Sequence, residues 1–208
     1  MLKQAFDRGV AAVAIVVALP VFALLAIGVL LDDGLPVFFG QERIGRGGHP
    51  FVLWKFRTMR RGSDSVGQLA TEGDPRVTRF GAVQRRFKLD ELPQLLNVLR
   101  GEMSFVGPRP ELARYVALYT PEQREVLSFN PGITDPASIA YINEGMFLAR
   151  FEDQDRAYIE RVLPDKLRLS LAYAERAGFW ADLGVIGVTI LASVRHRATG
   201  NPVAQDRT

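Results

Sequence analysis

The chain contains no cysteine and only two histidines among its 208 residues. The first absence excludes a disulfide framework, a thiol nucleophile and a thiolate metal site. The second leaves too few imidazoles for a histidine-based metal centre: His49 stands in a Gly-Gly-His-Pro stretch and His196 between two arginines. An excess of one sign of charge is lacking as well. Lys and Arg number 26 against 23 acids, a formal net charge of +3. So small an excess does not describe a nucleic-acid binder, and no nucleic acid is expected as a partner. Gly45, Gly47 and Gly48 lack the Lys-Ser/Thr that follows in a P-loop and read as a turn. No internal repeat and no linker divides the chain, whose length suits one domain with a real core.

What the chain does have is a long apolar run. Residues 10–31 carry no charge. As one helix they would cover about 33 Å, enough to cross a bilayer. The run is too long for a cleaved signal, and Asp32-Asp33 stands where a small-residue cleavage site would be. Pro20 falls near its middle, and an interior proline removes a hydrogen bond and clashes with the preceding turn. Each half is then too short to span, so the segment could enter and leave by one face. Lys3 and Arg8 precede the run, and Arg43, Arg46, Lys55 and Arg57 follow it. Positive charge on both sides favours both ends on the cytoplasmic side. Residue physics alone leaves a spanning and a re-entrant helix open.

Beyond the run, Val37-Phe39 and Phe51-Trp54 flank the glycine turn and predict a small hairpin. Residues 62–75 read as a polar surface loop. Leu89, Leu92, Leu95, Leu96 and Leu99 recur at helical spacing and predict one helix, closed by Gly101. Asp90 and Glu91 lie off that stripe, toward the opposite side. A second amphipathic helix is expected over 111–128, interrupted at Thr120-Pro121, where Thr120 is the N-cap. Residues 150–176 read as charged helix with a break near Pro164. Residues 179–197 form an apolar helix with a basic end, packed on the core or lying at the bilayer surface.

The chemistry concentrates in residues 85–110. Arg85, Arg86 and Lys88 adjoin the acid pair Asp90-Glu91, and Arg109 stands between Pro108 and Pro110. Carboxylates can hold Mg²⁺, which fills its shell with water and phosphate oxygens, and arginine grips phosphate bidentately. By themselves such charges also suit a solvated face.

The longer strings decide between these readings. Residues 88–110, KLDELPQLLNVLRGEMSFVGPRP, resemble the signature of the bacterial sugar transferases, the small monotopic phosphoglycosyl transferases. LPVFFGQERIG at 35–45, KFRTMR at 55–60, DPRVTRFG at 74–81 and NPGIT at 130–134 match the same family in the same order.

The resemblance implies an α+β, helix-rich protein. Its parts are a re-entrant membrane helix-break-helix at residues 1–33, a small β-hairpin, and a compact helical catalytic domain over 34–197 at the membrane surface. A disordered tail covers 198–208. The break would fall at Pro20, here in a Leu19-Pro20 pair where many members have Ser-Pro. The reaction it implies moves a sugar 1-phosphate from a UDP-sugar to polyprenyl (undecaprenyl) phosphate, releasing UMP and starting assembly of a membrane glycoconjugate. The family's acid dyad maps onto Asp90, the nucleophile of a covalent phosphosugar intermediate, and Glu91, a Mg²⁺ ligand or proton acceptor. Asp90 is expected to be ionised, helped by Arg85, Lys88 and Mg²⁺. Arg85 and Arg109 match arginines that hold phosphate; Lys55 and Arg57 are further candidates. Implied partners are the lipid bilayer, a second copy of the chain and downstream glycosyltransferases, and the implied location is the cytoplasmic face of the bacterial inner membrane. After Gly132-Ile133-Thr134 the family pattern is lost at Asp135-Pro136, so the sugar is not carried across. A UDP-sugar hydrolase and a non-catalytic membrane scaffold are the rival functions.

Overall fold

The computed structural model describes residues 2–63 and 74–199. Most of the polar loop 62–75 and of the tail 198–208 therefore lies outside the described residues. The chain begins with α1, Leu2–Asp33, a single 32-residue helix. Strands β1 (Phe38–Ile44) and β2 (Pro50–Phe56) pair antiparallel, Phe38 opposite Phe56 and Ile44 opposite Pro50. The expected hairpin is thus present and longer than its two apolar cores. Helices α2 (Arg79–Arg86) and α3 (Gln94–Arg100) follow. Strand β3 (Ser104–Val106) pairs in parallel with β4 (Gly132–Thr134). Between those strands lie the short helices α4 (Ala113–Val116) and α5 (Pro121–Arg124). Then come α6 (Pro136–Ala140), α7 (Glu144–Leu148), α8 (Gln154–Ala157), α9 (Leu163–Ala174) and α10 (Phe179–Thr199). The α+β, helix-rich class is as expected.

Pro20 lies inside α1, not between two helices. The expected helix-break-helix is one helix in its backbone, because a proline can be carried mid-helix at the loss of one hydrogen bond. Both ends of α1 grip the same domain. Near the N-terminus Ser104 donates to buried Asp7 at 2.7 Å, and Ala11 packs with Leu53, Val98 and Met103. Near the C-terminus Leu25 and Val29 pack with Phe56, Phe80, Leu89 and Leu92. Asp32 accepts from the Phe80 backbone N–H at 3.1 Å. Between these footings Val13, Val16, Val17, Leu19 and Leu24 are exposed.

The third and largest cluster sits far from α1, where Tyr115, Val116, Leu148, Tyr158, Val162 and Leu167 join α4, α7 and α9. The amphipathic helix expected over 111–128 is α4, α5 and a 3₁₀ turn at Glu125–Ser128. Thr120 caps α5 as expected, in a reciprocal capping box with Gln123. The charged stretch 150–176 contains a π-helical turn, Tyr158–Val162, ahead of Pro164. A proline at that point has no N–H for the carbonyl of Glu160, so the regular ladder cannot continue through it.

Candidate active site

The leucine stripe does not form one helix. Lys88 adopts left-handed backbone angles, φ 55° and ψ 23°, and turns the chain from α2 into a 3₁₀ turn, Leu89–Glu91. Such a conformation is costly for a side chain with a Cβ and is commonest at functional sites. Only after Pro93 does α3 begin, and Gly101, with φ 81°, ends it as expected. Leu89 and Leu92 face α1 and Phe56. The opposite, polar side is covered too: Asp90, Gln94 and Asn97 are all buried. Asn97 shows why. Its side chain donates to the Val52 carbonyl and to Glu102, both at 2.7 Å, and accepts from the Trp54 N–H at 3.1 Å. One amide therefore pins α3 to β2 and sets Lys55 against the acid turn.

Glu91 is the centre of the charged group. Arg109 donates to its Oε1 at 2.5 Å and Lys55 reaches the same oxygen at 3.3 Å. Burial pushes the Glu91 carboxyl up, but Arg109, Lys55 and Lys88 together outweigh it and hold the group well below the usual carboxylate range. Arg109 is bound more firmly to its proton by the same contact. Burial pulls the Lys55 ammonium down, against the attraction of Glu91.

Asp90, its neighbour, goes the other way. It is 7 % exposed, and its Oδ1 has no hydrogen-bond partner. Burial raises its pKa above the ordinary aspartate value; Lys55, Lys88 and Arg85 oppose the rise and Glu91 adds to it. The expected help from Arg85 and Lys88 is present but does not win over desolvation. Two adjacent carboxylates pushed in opposite directions have separated roles, one locked in charge by cations, the other uncommitted.

The remaining predicted residues divide. Arg85 donates from Nε to Thr58 Oγ1 at 2.8 Å, and its charge acts on Asp90. Arg109 also donates to the Ile133 carbonyl at 3.3 Å, which ties it to β4. Gly132 makes that approach possible, since a Cβ there would lie 2.1 Å from the Gly107 nitrogen. Arg57 does not join the group. Its Nη2 donates to the carbonyls of Asp33 and Gly34 at 2.9 and 2.7 Å, and it pairs with the Asp33 carboxylate. It fastens the end of α1, the ion-pair role open to a buried arginine between two elements. Asp135, where the family pattern is lost, is fully buried and accepts from Ser138 N–H and Ser170 hydroxyl at 2.7 and 2.6 Å. Thr58, Asn97 and Ile133 were not singled out in the sequence. For Asn97 a signal existed, since positions 90, 94 and 97 repeat a polar side at helical spacing within a leucine-rich segment.

The model of the family described as bacterial sugar transferase matches residues 1–196. The chain belongs to the bacterial sugar transferase family. A Bacillus subtilis relative named "Uncharacterized sugar transferase EpsL" is 39% identical over 191 residues, covering 91% of this chain and 86% of the relative. The UDP-glucose:undecaprenyl-phosphate glucose-1-phosphate transferase of Xanthomonas campestris pv. campestris is 37% identical over 192 residues, 90% of this chain and 37% of that protein. The UDP-N-acetylgalactosamine-undecaprenyl-phosphate N-acetylgalactosaminephosphotransferase of Aeromonas hydrophila is 36% identical over 193 residues, 88% of this chain and 42% of that protein. This chain thus spans less than half the length of the latter two sugar transferases.

Proposed function

We infer that this bacterial sugar transferase is a polyprenyl-phosphate phosphoglycosyl transferase that moves a sugar 1-phosphate from a UDP-sugar to undecaprenyl phosphate and releases UMP. The observation that carries the reading is the unpartnered Oδ1 of buried Asp90, beside a Glu91 already held by Arg109 and Lys55. The names of the Xanthomonas and Aeromonas relatives, two sugars on one lipid phosphate, support the substrate classes and leave the sugar open.

In the proposed reaction a carboxylate oxygen of Asp90 attacks the β-phosphorus of the UDP-sugar. The bond from that phosphorus to the bridging oxygen breaks, and UMP leaves with the electron pair. An oxygen of the polyprenyl phosphate then attacks the same phosphorus and frees Asp90. Two substrates of opposite solubility use one site in turn. Arg109 and Lys55, now on Glu91, are placed to exchange part of that contact for phosphate oxygens, and Arg85 keeps its terminal nitrogens outside its bond to Thr58. The residues fit a magnesium ion, since adjacent carboxylates, one with an unpartnered oxygen, suit a cation that takes one or two carboxylates and completes its shell with water and phosphate. Asp90 and Glu91 would hold it, and when bound it would neutralise diphosphate charge.

α1 is long and apolar enough to cross a membrane. That both its ends are fastened to one domain supports a re-entrant anchor, with the domain on the cytoplasmic face of the inner membrane. Leu89, next to Asp90, packs in the cluster of Leu25 and Val29, which supports chemistry near the root of the anchor. Replacing Pro20 by Leu should move part of the population to a spanning state, read as external accessibility of an N-terminal tag. A tag already outside in the unaltered protein overturns the re-entrant reading.

The reaction is tested by measuring UMP from a panel of UDP-sugars with Mg²⁺, with and without polyprenyl phosphate. Lipid-dependent turnover is expected. Lipid-independent turnover indicates a hydrolase, and no release indicates a scaffold. Without lipid, the protein should gain the mass of one sugar phosphate and release about one UMP per chain, as double displacement requires. Absence of the label, with both substrates needed for UMP release, replaces the covalent route with direct transfer.

A further inference from the structure

A second buried set of charges, which the reaction above does not use, begins just after Arg109 in the chain. Its centre is Glu111, two residues after Arg109 and 7 % exposed. Tyr158, on the π-helical turn, donates its hydroxyl to Glu111 Oε1. Lys166 on α9 lies 3.7 Å from the same oxygen and donates to the Tyr158 hydroxyl at 3.3 Å and to Glu144 at 2.9 Å. Arg43 on β1 reaches Glu111 Oε2 at 3.5 Å and donates to the Pro110 carbonyl at 3.2 Å. The backbone joins in: the Ile44 N–H donates to the Glu111 carbonyl at 2.9 Å.

These partners come from segments distant in sequence and converge on the two residues that follow Arg109. Taking a carboxylate, an ammonium and a guanidinium out of water carries a penalty of several kcal/mol per ion, and well-packed apolar residues often do as well for stability. What ion networks of this kind can give instead is a fixed geometry. Burial, with Glu111, pushes the Tyr158 phenol well above its ordinary range, so it stays a donor. Among the described residues Arg109 itself donates to Glu91 and to the Ile133 carbonyl, and the charges of Glu144 and Asp135 also act on it. Those are contacts it must partly exchange when phosphate arrives; the hold on Pro110 and Glu111 is one it can keep.

We propose that Glu111, with Arg43, Tyr158 and Lys166, forms a buried clamp that positions Arg109 for the phosphoryl group. These are positioning residues, and they act through Arg109. The proposal rests on the reading of Arg109 as a phosphate-holding group. With the clamp loosened the guanidinium keeps its charge, so ground-state attraction persists while alignment in the transition state is lost. A 1 Å misplacement of this sort can cost on the order of a hundredfold in rate.

The test is a double-mutant cycle in the full chain, reconstituted with lipid acceptor and Mg²⁺. Tyr158→Phe removes a single oxygen and keeps the fold; Lys166→Met is the second variant, and thermal melting monitors both. Tyr158→Phe should lower kcat about fivefold with KM for the UDP-sugar within about twofold. In an Arg109→Lys background, itself slowed at least about tenfold, Tyr158→Phe should change kcat by less than about twofold. Lys166→Met should couple to Arg109 in the same way. An equal loss in both backgrounds, or wild-type kcat in Tyr158→Phe, overturns the clamp and leaves Arg109 in the site. Wild-type turnover in Arg109→Lys alone overturns the reading of Arg109, and the clamp with it.

Discussion

Two buried carboxylates, Asp90 and Glu111, come before and after Arg109 in the chain and meet opposite conditions. Glu111 has both oxygens engaged, Oε1 by Tyr158 and Lys166, Oε2 by Arg43. Asp90 has one oxygen with no partner, and desolvation pushes its pKa up. An acid whose lone pairs are all taken is committed to structure. One whose burial cost is left unmet keeps the capacity to bond something else, at the expense of stability. The same composition therefore does two jobs, and the number of filled hydrogen-bond positions tells them apart.

The sharpest way to break this contrast is Asp90→Asn. The amide is nearly isosteric and removes a buried charge, so the melting temperature should stay or rise. Turnover should fall at least about a thousandfold, about 4 kcal/mol of barrier, and the sugar-phosphate label should vanish. A retained label would move the nucleophile elsewhere. Glu111→Gln should show the reverse order of effects, with stability hit first. It leaves Lys166 and Arg43 without their shared counter-charge, and denaturant unfolding should show a loss of about 3 kcal/mol. A Glu111→Gln protein as stable as the original would place the two acids in one class. The smallest effect concerns a third carboxylate, Asp74. The hydrogen bond from the Arg76 guanidinium holds its pKa below the ordinary value. A depressed folded pKa adds stability that is present above the unfolded pKa and is lost as pH falls through the folded one. Stability against pH below the usual aspartate range should therefore flatten in Asp74→Asn, with little change at neutral pH.

The legible and the hidden parts of this protein differ by how far apart the interacting residues lie. The hairpin, the Thr120 cap and the Gly101 stop are local and were readable from neighbouring residues. So were the acid pair and the arginine between prolines, because both fall in one continuous string. The single helix predicted through the leucine stripe is interrupted at Pro93, which has no N–H to carry the ladder from the 3₁₀ turn Leu89–Glu91 into α3. The polar side of that segment, expected opposite the apolar stripe, is buried because Asn97 finds its partners on β2, more than 40 positions earlier. Arg57 looked like a phosphate ligand by its charge, and in the structure its Nη2 meets the carbonyls of Asp33 and Gly34 at the end of α1, partners no local pattern names. The Glu111 cluster joins residues up to 123 apart, Arg43 to Lys166, and no local pattern marks it.

The double footing of α1 has a consequence for stability. Ala11, Leu25 and Val29 are themselves part of the buried core, so the helix long and apolar enough to cross a membrane also completes the folding unit. A chain whose α1 is pulled off the domain would lose the packing of Ala11 on Leu53 and Met103 and of Leu25 and Val29 on Phe56. Each such side chain contributes about 1.5–3 kcal/mol when covered, and a domain has only about 5–15 kcal/mol in all. The anchor proposed for this protein is thus also part of what keeps it folded.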